Sequence, residues 1–292
     1  MPYPDRYLAV SLVPRAPARP GVALLLTLAM CIAATSACGA NSGASAPAAP
    51  TAEPAGHDEA AHVIRYGRVV DLTHALHDDM AYWPGGVPFH KIKLVDYDKG
   101  YLLHKFETGE NTGTHVDAPR HFVEGATGVG EIPLDQLVVP AAVIDVRDKV
   151  SAEPDYQLTA ADVVAWEAEH GQIPAGALVI LNTGWYQRFD EPTQYSNMDD
   201  SQVMHFPGYG VDSAKLLVER DVVGIGIDTL SLDYGPSKDF ATHHVMLEAS
   251  KYQIENLANL GALPATGATV VVAVLPVRDG SQAQARVLAF VP

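Results

Sequence analysis

Short apolar runs rich in β-branched residues recur through the chain, and each is bounded by Gly, Pro or Asp. Such runs are typical of buried β-strands, because a strand covered on both faces needs no alternating polar positions. The pattern predicts strands at Val138–Val146, Ala177–Leu181, Val222–Ile227 and Thr269–Leu275. Helical spacing of apolar residues between these runs predicts helices at Thr159–His170 and Asp212–Arg220. Strands mixed with a few helices indicate an α/β (α+β) domain, and the periodicity leaves the strand order open.

The N-terminal residues have the order of a secretory signal: a basic flank at Arg15 and Arg19, an apolar run at Gly21–Ala34, and small residues leading to Cys38. The run of about 14 apolar residues is shorter than a bilayer-spanning helix requires. We therefore predict a signal peptide at residues 1–38, with an uncleaved N-terminal anchor as the alternative.

A cysteine after small residues resembles a bacterial lipoprotein signal, in which Cys38 would be lipidated and become the mature N-terminus. Thr35 stands where that pattern usually has a Leu-like residue. Residues 39–62 are rich in Ala, Gly, Ser and Pro and predict a flexible linker. The protein is expected to be exported, as a membrane-anchored lipoprotein or as a periplasmic or secreted protein, with residues 63–292 forming one domain.

The net charge and the cysteine content exclude several kinds of partner and catalytic site. The chain of 292 residues has a formal net charge of -16, which argues against a nucleic-acid partner because such proteins need a basic surface. Its two cysteines, Cys31 and Cys38, both lie in the predicted leader. The predicted domain therefore has no thiol nucleophile, disulfide or cysteine zinc cage, and its histidines carry the candidate chemistry.

The segment Asn111–Phe122 concentrates polar side chains in a short space. Gly113 and Pro119 disfavour a helix, so we predict an extended segment in which alternate side chains share one face. Pro119 should end the regular strand and turn His121 in a new direction. The odd-numbered positions of the predicted face are Asn111, Gly113, His115, Asp117 and His121.

Imidazole and carboxylate together are ligands that suit zinc or manganese. The pair His115 and Asp117 taken alone also fits a strand whose polar residues face water. The Gly113-Thr114 pair before it and the Pro119-x-His121 sequence after it favour a functional site over a solvated face.

A second polar cluster, His243, His244 and Glu255, lies far along the chain. His243 and Glu255 are twelve residues apart, and one straight helix would separate them by about 18 Å, too far for ligands of one centre. If both bind metal, the helix must end near Ser250–Gln253 and the chain must turn back. The alternative is an amphipathic helix with two incidental histidines and a surface glutamate.

The segment Asn111–Phe122 resembles the His-x-Gly-Thr-His-x-Asp-x-Pro-x-His signature of the metal-dependent cyclase family. That family includes bacterial kynurenine formamidase and isatin hydrolase. The resemblance extends over about residues 69–290, in the family's order. Further matches are Asp71–His74, Trp83–Gly85, Asn182–Trp185, Gly226–Asp233, His243–Leu247 and Ile254–Leu257.

The resemblance implies a single domain with a mixed β-sheet core and flanking helices. It implies one or two divalent ions, Zn²⁺ first and Mn²⁺ as the alternative, with Asp117 able to bridge two of them. The motif offsets favour His243 over His244. The family usually has His where this chain has Asn111, and an amide oxygen is a harder, weaker ligand that suits manganese better than zinc. The implied ligands are Asn111, His115, Asp117, His243 and Glu255.

The function implied by the resemblance is arylformamidase-like or isatin hydrolase-like hydrolysis of a small amide, lactam or ester. His121 would act as general acid/base beside a metal-activated water. Trp83 and Tyr82 would form an aromatic wall for the substrate, with plain core packing as the alternative for Trp83. The expected partner is a small molecule, and related proteins are commonly homodimers.

Three other functions are weaker. A serine hydrolase would need a Gly-x-Ser-x-Gly elbow, and Ser231 and Ser237 lack that context. A zinc protease would need His-Glu-x-x-His, which is absent. The alternative from another class is a membrane-tethered protein that binds a metal or small ligand without catalysis, with Asn111 marking a degenerate site. His121 distinguishes the two, because a binding protein has no need of it.

Overall fold

The computed structural model describes residues 63–292 of the chain. These residues contain twelve β-strands and five α-helices. The predicted leader and linker, including Cys38, lie outside the described residues. The strands are β1 Arg68–Asp71, β2 His90–Val95, β3 Leu103–Glu107, β4 His115–Asp117, β5 Val138–Asp145, β6 Gln157–Leu158, β7 Leu178–Asn182, β8 Gly208–Tyr209, β9 Gly224–Ile227, β10 Tyr252–Glu255, β11 Thr269–Val274 and β12 Gln282–Val291. The helices are α1 Arg147–Ala152, α2 Ala160–His170, α3 Pro192–Ser196, α4 Val211–Glu219 and α5 Ala241–Glu248.

Seven strands close into a mixed barrel in the order β12-β11-β5-β7-β9-β10-β4, because β4 pairs with both β10 and β12. Strands β5, β7, β9 and β10 run parallel to one another, and the remaining neighbours are antiparallel. The long strand β12 also holds β1 along its C-terminal half. The predicted single α/β domain with a mixed sheet and flanking helices is confirmed, and the sheet is a closed barrel.

The parallel strands are buried on both faces, which explains their continuous apolar sequences. In β7, Leu178 and Ile180 pack into the barrel interior, whereas Val179 and Leu181 pack against the helices outside. All five residues of this strand are buried. Alternate residues of one strand thus serve two separate cores, and all four predicted strands are confirmed.

Both predicted helices are present within one residue of their expected ends. Thr159 caps α2: its hydroxyl accepts a hydrogen bond from the Asp162 amide, while the Asp162 carboxylate accepts one from the Thr159 amide. Gly171 follows the last residue of α2. Helix α4 begins at Val211 and packs against α2 and α5. Within residues 63–292, no helix is long and apolar enough to cross a bilayer.

The strand β9 contains a glycine where it closely approaches β10. A Cβ atom on Gly224 would lie 2.5 Å from the Tyr252 carbonyl oxygen of β10, so a side chain there would push the two strands apart. This close pairing matters for function, because β10 carries Glu255 and also pairs with β4. Glycine at 224 therefore allows β10, which carries Glu255, to pair closely with β9.

Candidate metal centre

The candidate ligands of β4 and β10 lie on the outer face of the barrel, under α5. Val116 and Ile254 pack into the barrel interior, so the alternating neighbours His115, Asp117 and Glu255 point the other way. Glu255 lies directly opposite His115 in the antiparallel pairing. Adjacent strands thus bring together residues that are distant in the sequence.

The predicted extended face is correct only at its centre. His115–Asp117 is a strand, whereas residues 111–114 form a turn in which Gly113 has a φ of 78°. A side chain at Gly113 would place its Cβ atom 2.5 Å from Leu76, so glycine fits both the backbone and the space. The turn directs the Gly113 carbonyl oxygen at Nδ1 of His115, at 2.8 Å. Pro119 ends the strand as predicted and starts a short 3₁₀ turn that contains His121.

Two imidazoles and two carboxylates face one another at the centre. Nε2 of His115 lies 3.1 Å from Oδ1 of Asp117 and 3.4 Å from Oε2 of Glu255. Nε2 of His243 lies 3.4 Å from Oδ2 of Asp117 and 3.2 Å from Oε1 of Glu255. Each carboxylate therefore offers one oxygen to each imidazole. All four side chains are buried, and His115 and Asp117 have no exposed surface.

The groups perturb one another's charge strongly. Burial alone would lower the pKa of His115, but the facing Asp117 and Glu255 outweigh it and raise the pKa to about 9. The pKa of His243 is likewise raised well above its usual value, against burial, by Asp117, Asp233 and Glu255. The pKa of Asp117 is lowered by the two imidazoles despite its burial, whereas burial and Asp117 raise the pKa of Glu255.

The donor set fits a divalent metal ion. His115 donates Nδ1–H to the Gly113 carbonyl, so Nε2 is the nitrogen that faces the carboxylates and could bind an ion in place of its proton. Nε2 of His115 and Oδ2 of Asp117 are buried without a hydrogen-bond partner of acceptable geometry, a costly state that an ion would relieve. Tetrahedral zinc with bonds of about 2.1 Å separates neighbouring ligand atoms by about 3.4 Å, close to the spacings present. His115, Asp117 and Glu255 offer ligand atoms that all lie within 4.8 Å of one another.

Asp233 fixes the orientation of His243. Its Oδ2 lies 2.6 Å from Nδ1 of His243, and its carboxylate also accepts hydrogen bonds from the backbone amides of Thr242 and His243. Nε2 of His243 is thereby left to face the centre, as in the carboxylate–histidine–metal arrangement. Asp233 had no predicted role, although it ends the Gly226–Asp233 segment that carries part of the family resemblance.

We expect Asp233→Asn to weaken metal binding by about 10- to 100-fold, because the amide no longer supplies the charge that fixes the His243 tautomer. The amide oxygen can still accept the backbone hydrogen bond from Thr242 at the start of α5, so the fold should persist. Chelator competition would measure the metal dissociation constant. Asp239→Asn, in the exposed part of the same loop, is the matched control and should leave the constant unchanged. Equal constants for Asp233→Asn and wild type would contradict the role.

His244 faces away from the centre. Its side chain is 49% exposed and its Nδ1 lies 3.1 Å from Glu248 of the same helix. The predicted preference for His243 as the inward-facing residue therefore agrees with the geometry. The chain also turns back between His243 and Glu255 as the ligand hypothesis requires, but α5 ends at Glu248, before the predicted Ser250–Gln253. Ser250 takes a φ of 60° in the turn, and β10 begins at Tyr252.

Asn256 ties the two ligand strands together from behind. Its Nδ2 donates to the Gly113 carbonyl at 3.1 Å, and its own carbonyl accepts from the Thr114 hydroxyl at 2.6 Å. Its Oδ1 lies 2.9 Å from the hydroxyl of the fully buried Tyr195. The same Gly113 carbonyl holds His115, so Asn256 couples the loop before β4 to the end of β10.

A cavity of about 270 Å³ opens onto the centre and contains the predicted acid/base. His121 is half-buried in its wall, with its ring centroid 6.3 Å from that of His243. Burial lowers the pKa of His121, with Asp117 opposing, which favours the neutral ring. The lining residues are Trp83, Asn111, His121, Phe122, Leu230, Ser231, Phe240, His243, Glu255 and Gln282.

The remaining predicted site residues separate into two groups. Asn111 and Trp83 line the cavity, and Trp83 also packs against the core with its ring 6.0 Å from that of Phe240. Tyr82 does not line the cavity, and 39% of its surface is exposed. Tyr82 and Trp83 are adjacent in this loop, yet only Trp83 faces the cavity. The sequence alone does not reveal this difference.

Gln282 is a site residue that the sequence did not indicate. It lies opposite Asp117 in the pairing of β12 with β4, and its Nε2 donates to Oδ1 of Asp117 at 2.7 Å. Its position depends on closure of the barrel, since 165 residues separate the two partners. Gln282 holds the Asp117 carboxylate in place so that Oδ2 remains available toward His243.

Comparison with known proteins identifies the family of the chain. The cyclase family model matches residues 70–234, more than half of the chain, and the chain belongs to the cyclase family. Among its relatives, an isatin hydrolase of Roseibium aggregatum is 34% identical over 215 residues, covering 70% of this chain and 81% of that protein. A kynurenine formamidase of Bordetella petrii is 29% identical over 193 residues, covering 65% of this chain and 82% of that protein.

Solved structures show the same likeness. A crystal structure of an isatin hydrolase bound to the product analogue thioisatinate has a TM-score of 0.73 and 31% identity, covering 77% of this chain and 92% of that chain. An isatin hydrolase A from Ralstonia solanacearum also has a TM-score of 0.73, at 34% identity and with the same coverage of each. The protein is thus a cyclase-family hydrolase similar to isatin hydrolase and kynurenine formamidase, with a buried His/Asp/Glu candidate metal site.

Proposed function

We propose that the protein is a metal-dependent hydrolase of a cyclic amide or aryl formamide, with His115, Asp117, His243 and Glu255 as metal ligands. The observation that carries the proposal is the buried pairing of two imidazoles with two carboxylates, two of whose ligand atoms have no hydrogen-bond partner, beside a cavity that contains His121. The mixed nitrogen and oxygen donors favour zinc first, with manganese as the alternative. Asn111, at the cavity wall, would supply a further, weaker oxygen ligand.

His121 is placed to move the proton. Its lowered pKa favours the neutral ring, which can accept a proton from the attacking water and then deliver it to the leaving nitrogen. A bound divalent ion would lower the pKa of the attacking water and polarise the scissile carbonyl. Gln282 and Asp233 keep Asp117 and His243 oriented throughout, by the hydrogen bonds that they make to them.

The cavity walls favour a planar aromatic substrate. Phe240 stands between Trp83 and Phe122, at ring centroid distances of 6.0 Å from each. Phe240 holds a φ of 49°, an unusual conformation for an aromatic residue, at the start of α5. The likeness to an isatin hydrolase that binds the product analogue thioisatinate supports the same substrate class for this chain.

A substrate panel tests the proposed function. Full-length protein would be loaded with Zn²⁺ or Mn²⁺, assayed for bound metal, and incubated with isatin-type lactams, aryl formamides and aryl esters. We expect turnover of at least one lactam or formamide together with stoichiometric metal. Stoichiometric metal without turnover of any compound would overturn the hydrolase proposal and favour a metal-binding protein.

We expect metal affinity to rise with pH between about pH 6 and 9. His115, whose pKa is raised to about 9 without metal, is protonated below that pH, and an ion must displace the proton. Displacement of this one proton lowers the apparent affinity by about tenfold for each pH unit below 9, and displacement of the proton on His243, whose pKa is also raised, makes the dependence steeper. Chelator competition across this range would measure the slope. A flat profile would contradict displacement of a proton, and His244→Ala should keep the wild-type slope.

We also propose that residues 1–38 direct export and that Cys38 carries the lipid anchor, as the leader sequence supports. Cell fractionation with metabolic lipid labelling, compared between wild type and Cys38→Ala, would test both points. Homodimer formation is a further proposal, supported by the fact that related proteins are commonly homodimers. Light scattering of the purified protein would test it, and a monomeric mass would refute it.

A further inference from the structure

A second cavity lies apart from the metal centre, at the carboxyl ends of β5 and β7. Its volume is about 250 Å³, and none of its lining residues lines the first cavity. In open and closed α/β sheets this edge of the parallel strands is where ligands commonly bind. We call it the Arg188 cavity; its polar and aromatic walls are Arg147, Ser151, Thr183, Trp185, Gln187 and Arg188.

The charge of this cavity is opposite to that of the protein. The chain has a formal net charge of -16, yet among the described residues two arginines and no Asp or Glu line the Arg188 cavity. Arg147 is held by a two-pronged ion pair with Asp145, which offsets its charge and fixes its position. Gly184, at a φ of 77°, leaves room for the Arg147 stem, because a Cβ atom there would approach it to 3.2 Å.

Arg188 is the arginine of this cavity that has no ion-pair partner among the described residues. Its guanidinium carbon lies 3.8 Å from the centre of the Trp185 ring, and Trp185 is buried and anchored through Nε1 to the Tyr195 carbonyl. Within residues 63–292, no carboxylate lies within ion-pair distance of Arg188, and burial lowers its pKa. A partly desolvated guanidinium without a carboxylate is unfavourable, and an anion in the cavity would relieve the cost.

We propose that the Arg188 cavity binds a small anion, a carboxylate or a phosphate, through the guanidinium of Arg188. A guanidinium held over an aromatic ring keeps its N–H groups as a fork that can match the paired oxygens of such an anion. Gln187 adds a neutral hydrogen-bonding group to the same wall. The volume corresponds to about eight water molecules, which suits a single small molecule.

The test is a calorimetric titration of metal-loaded, full-length protein with inorganic phosphate and, separately, with benzoate. We expect binding that is at least about tenfold weaker in Arg188→Met, because a charge-assisted pair of hydrogen bonds is lost. Methionine keeps an unbranched side chain over Trp185, and Arg188→Gln provides a second variant of different shape. Arg278→Met, at an exposed arginine outside the cavity, is the control and should bind as wild type does.

The two probes separate the possible ligands. Arg188-dependent binding of phosphate alone indicates a phosphate ligand, that of benzoate alone a carboxylate, and that of both a site selective for charge. Binding at the metal would survive in Arg188→Met and so would not be counted. The proposal is overturned if neither anion binds wild type at about 10 mM, or if both Arg188 variants bind as tightly as wild type.

Discussion

Asp117→Asn should abolish metal binding and with it hydrolysis. Asp117 is the one carboxylate that combines complete burial with contact to both imidazoles, through Oδ1 to His115 and Oδ2 to His243. An amide has one oxygen, carries no charge and would leave one imidazole facing an N–H group. We expect less than about one tenth of the wild-type metal content and a fall in kcat/KM of about 10³-fold or more.

Metal analysis and kinetics on the same preparation would check this result. Circular dichroism would show whether the variant folds, since removing one partner of a buried ion pair costs about 3–5 kcal/mol. Asp135→Asn, an exposed carboxylate outside both cavities, is the matched control and should keep full metal content. An Asp117→Asn protein with wild-type metal content and activity would show that the ion is held elsewhere.

His121→Ala should have the opposite signature: normal metal content and little activity. His121 lines the cavity, but the close contacts between imidazole and carboxylate groups at the centre do not include it. Loss of a positioned acid/base typically lowers the rate by about 10²- to 10⁴-fold, and we expect the loss in kcat with a small change in KM. The measurement is steady-state kinetics at pH 7 on the metal-loaded variant.

His244→Ala is the matched control for His121→Ala. His244 is the neighbour of a proposed ligand but is half-exposed and pairs with Glu248, so its removal should leave kcat unchanged. Full activity in His121→Ala would remove His121 from the mechanism. A joint loss of metal and activity would instead identify His121 as a ligand.

The elements that could be predicted from sequence are those with a local signal. Strands such as β7 are apolar along their whole length because both faces are covered, and α2 has its own cap at Thr159 and stop at Gly171. The longest strand, β12, was missed although its inward residues alternate regularly. Three of these are alanines, Ala283, Ala285 and Ala289, and such small side chains make a weak apolar pattern.

The site was predictable where neighbours in sequence share a strand and not where barrel closure brings them together. His115 and Asp117 share a face by strand alternation, and the positions of His243 and Glu255 followed from the family resemblance. Gln282 and Asp233 approach their partners only through the tertiary fold, so no local pattern marks them. The extended prediction for residues 111–114 was wrong because Gly113 serves a turn, and glycine is compatible with either state.

The closure of the barrel by β4 sets an order of events in folding. This strand has three residues, and its partners in β10 and β12 lie well over a hundred residues away in sequence. Such pairing gains little until the rest of the barrel is in place, because the entropy of closing so long a loop must be met first. We expect β4 to dock last, so the capacity to hold an ion arises in the final step. The rate of metal uptake after dilution from denaturant would then report the rate of the last folding step.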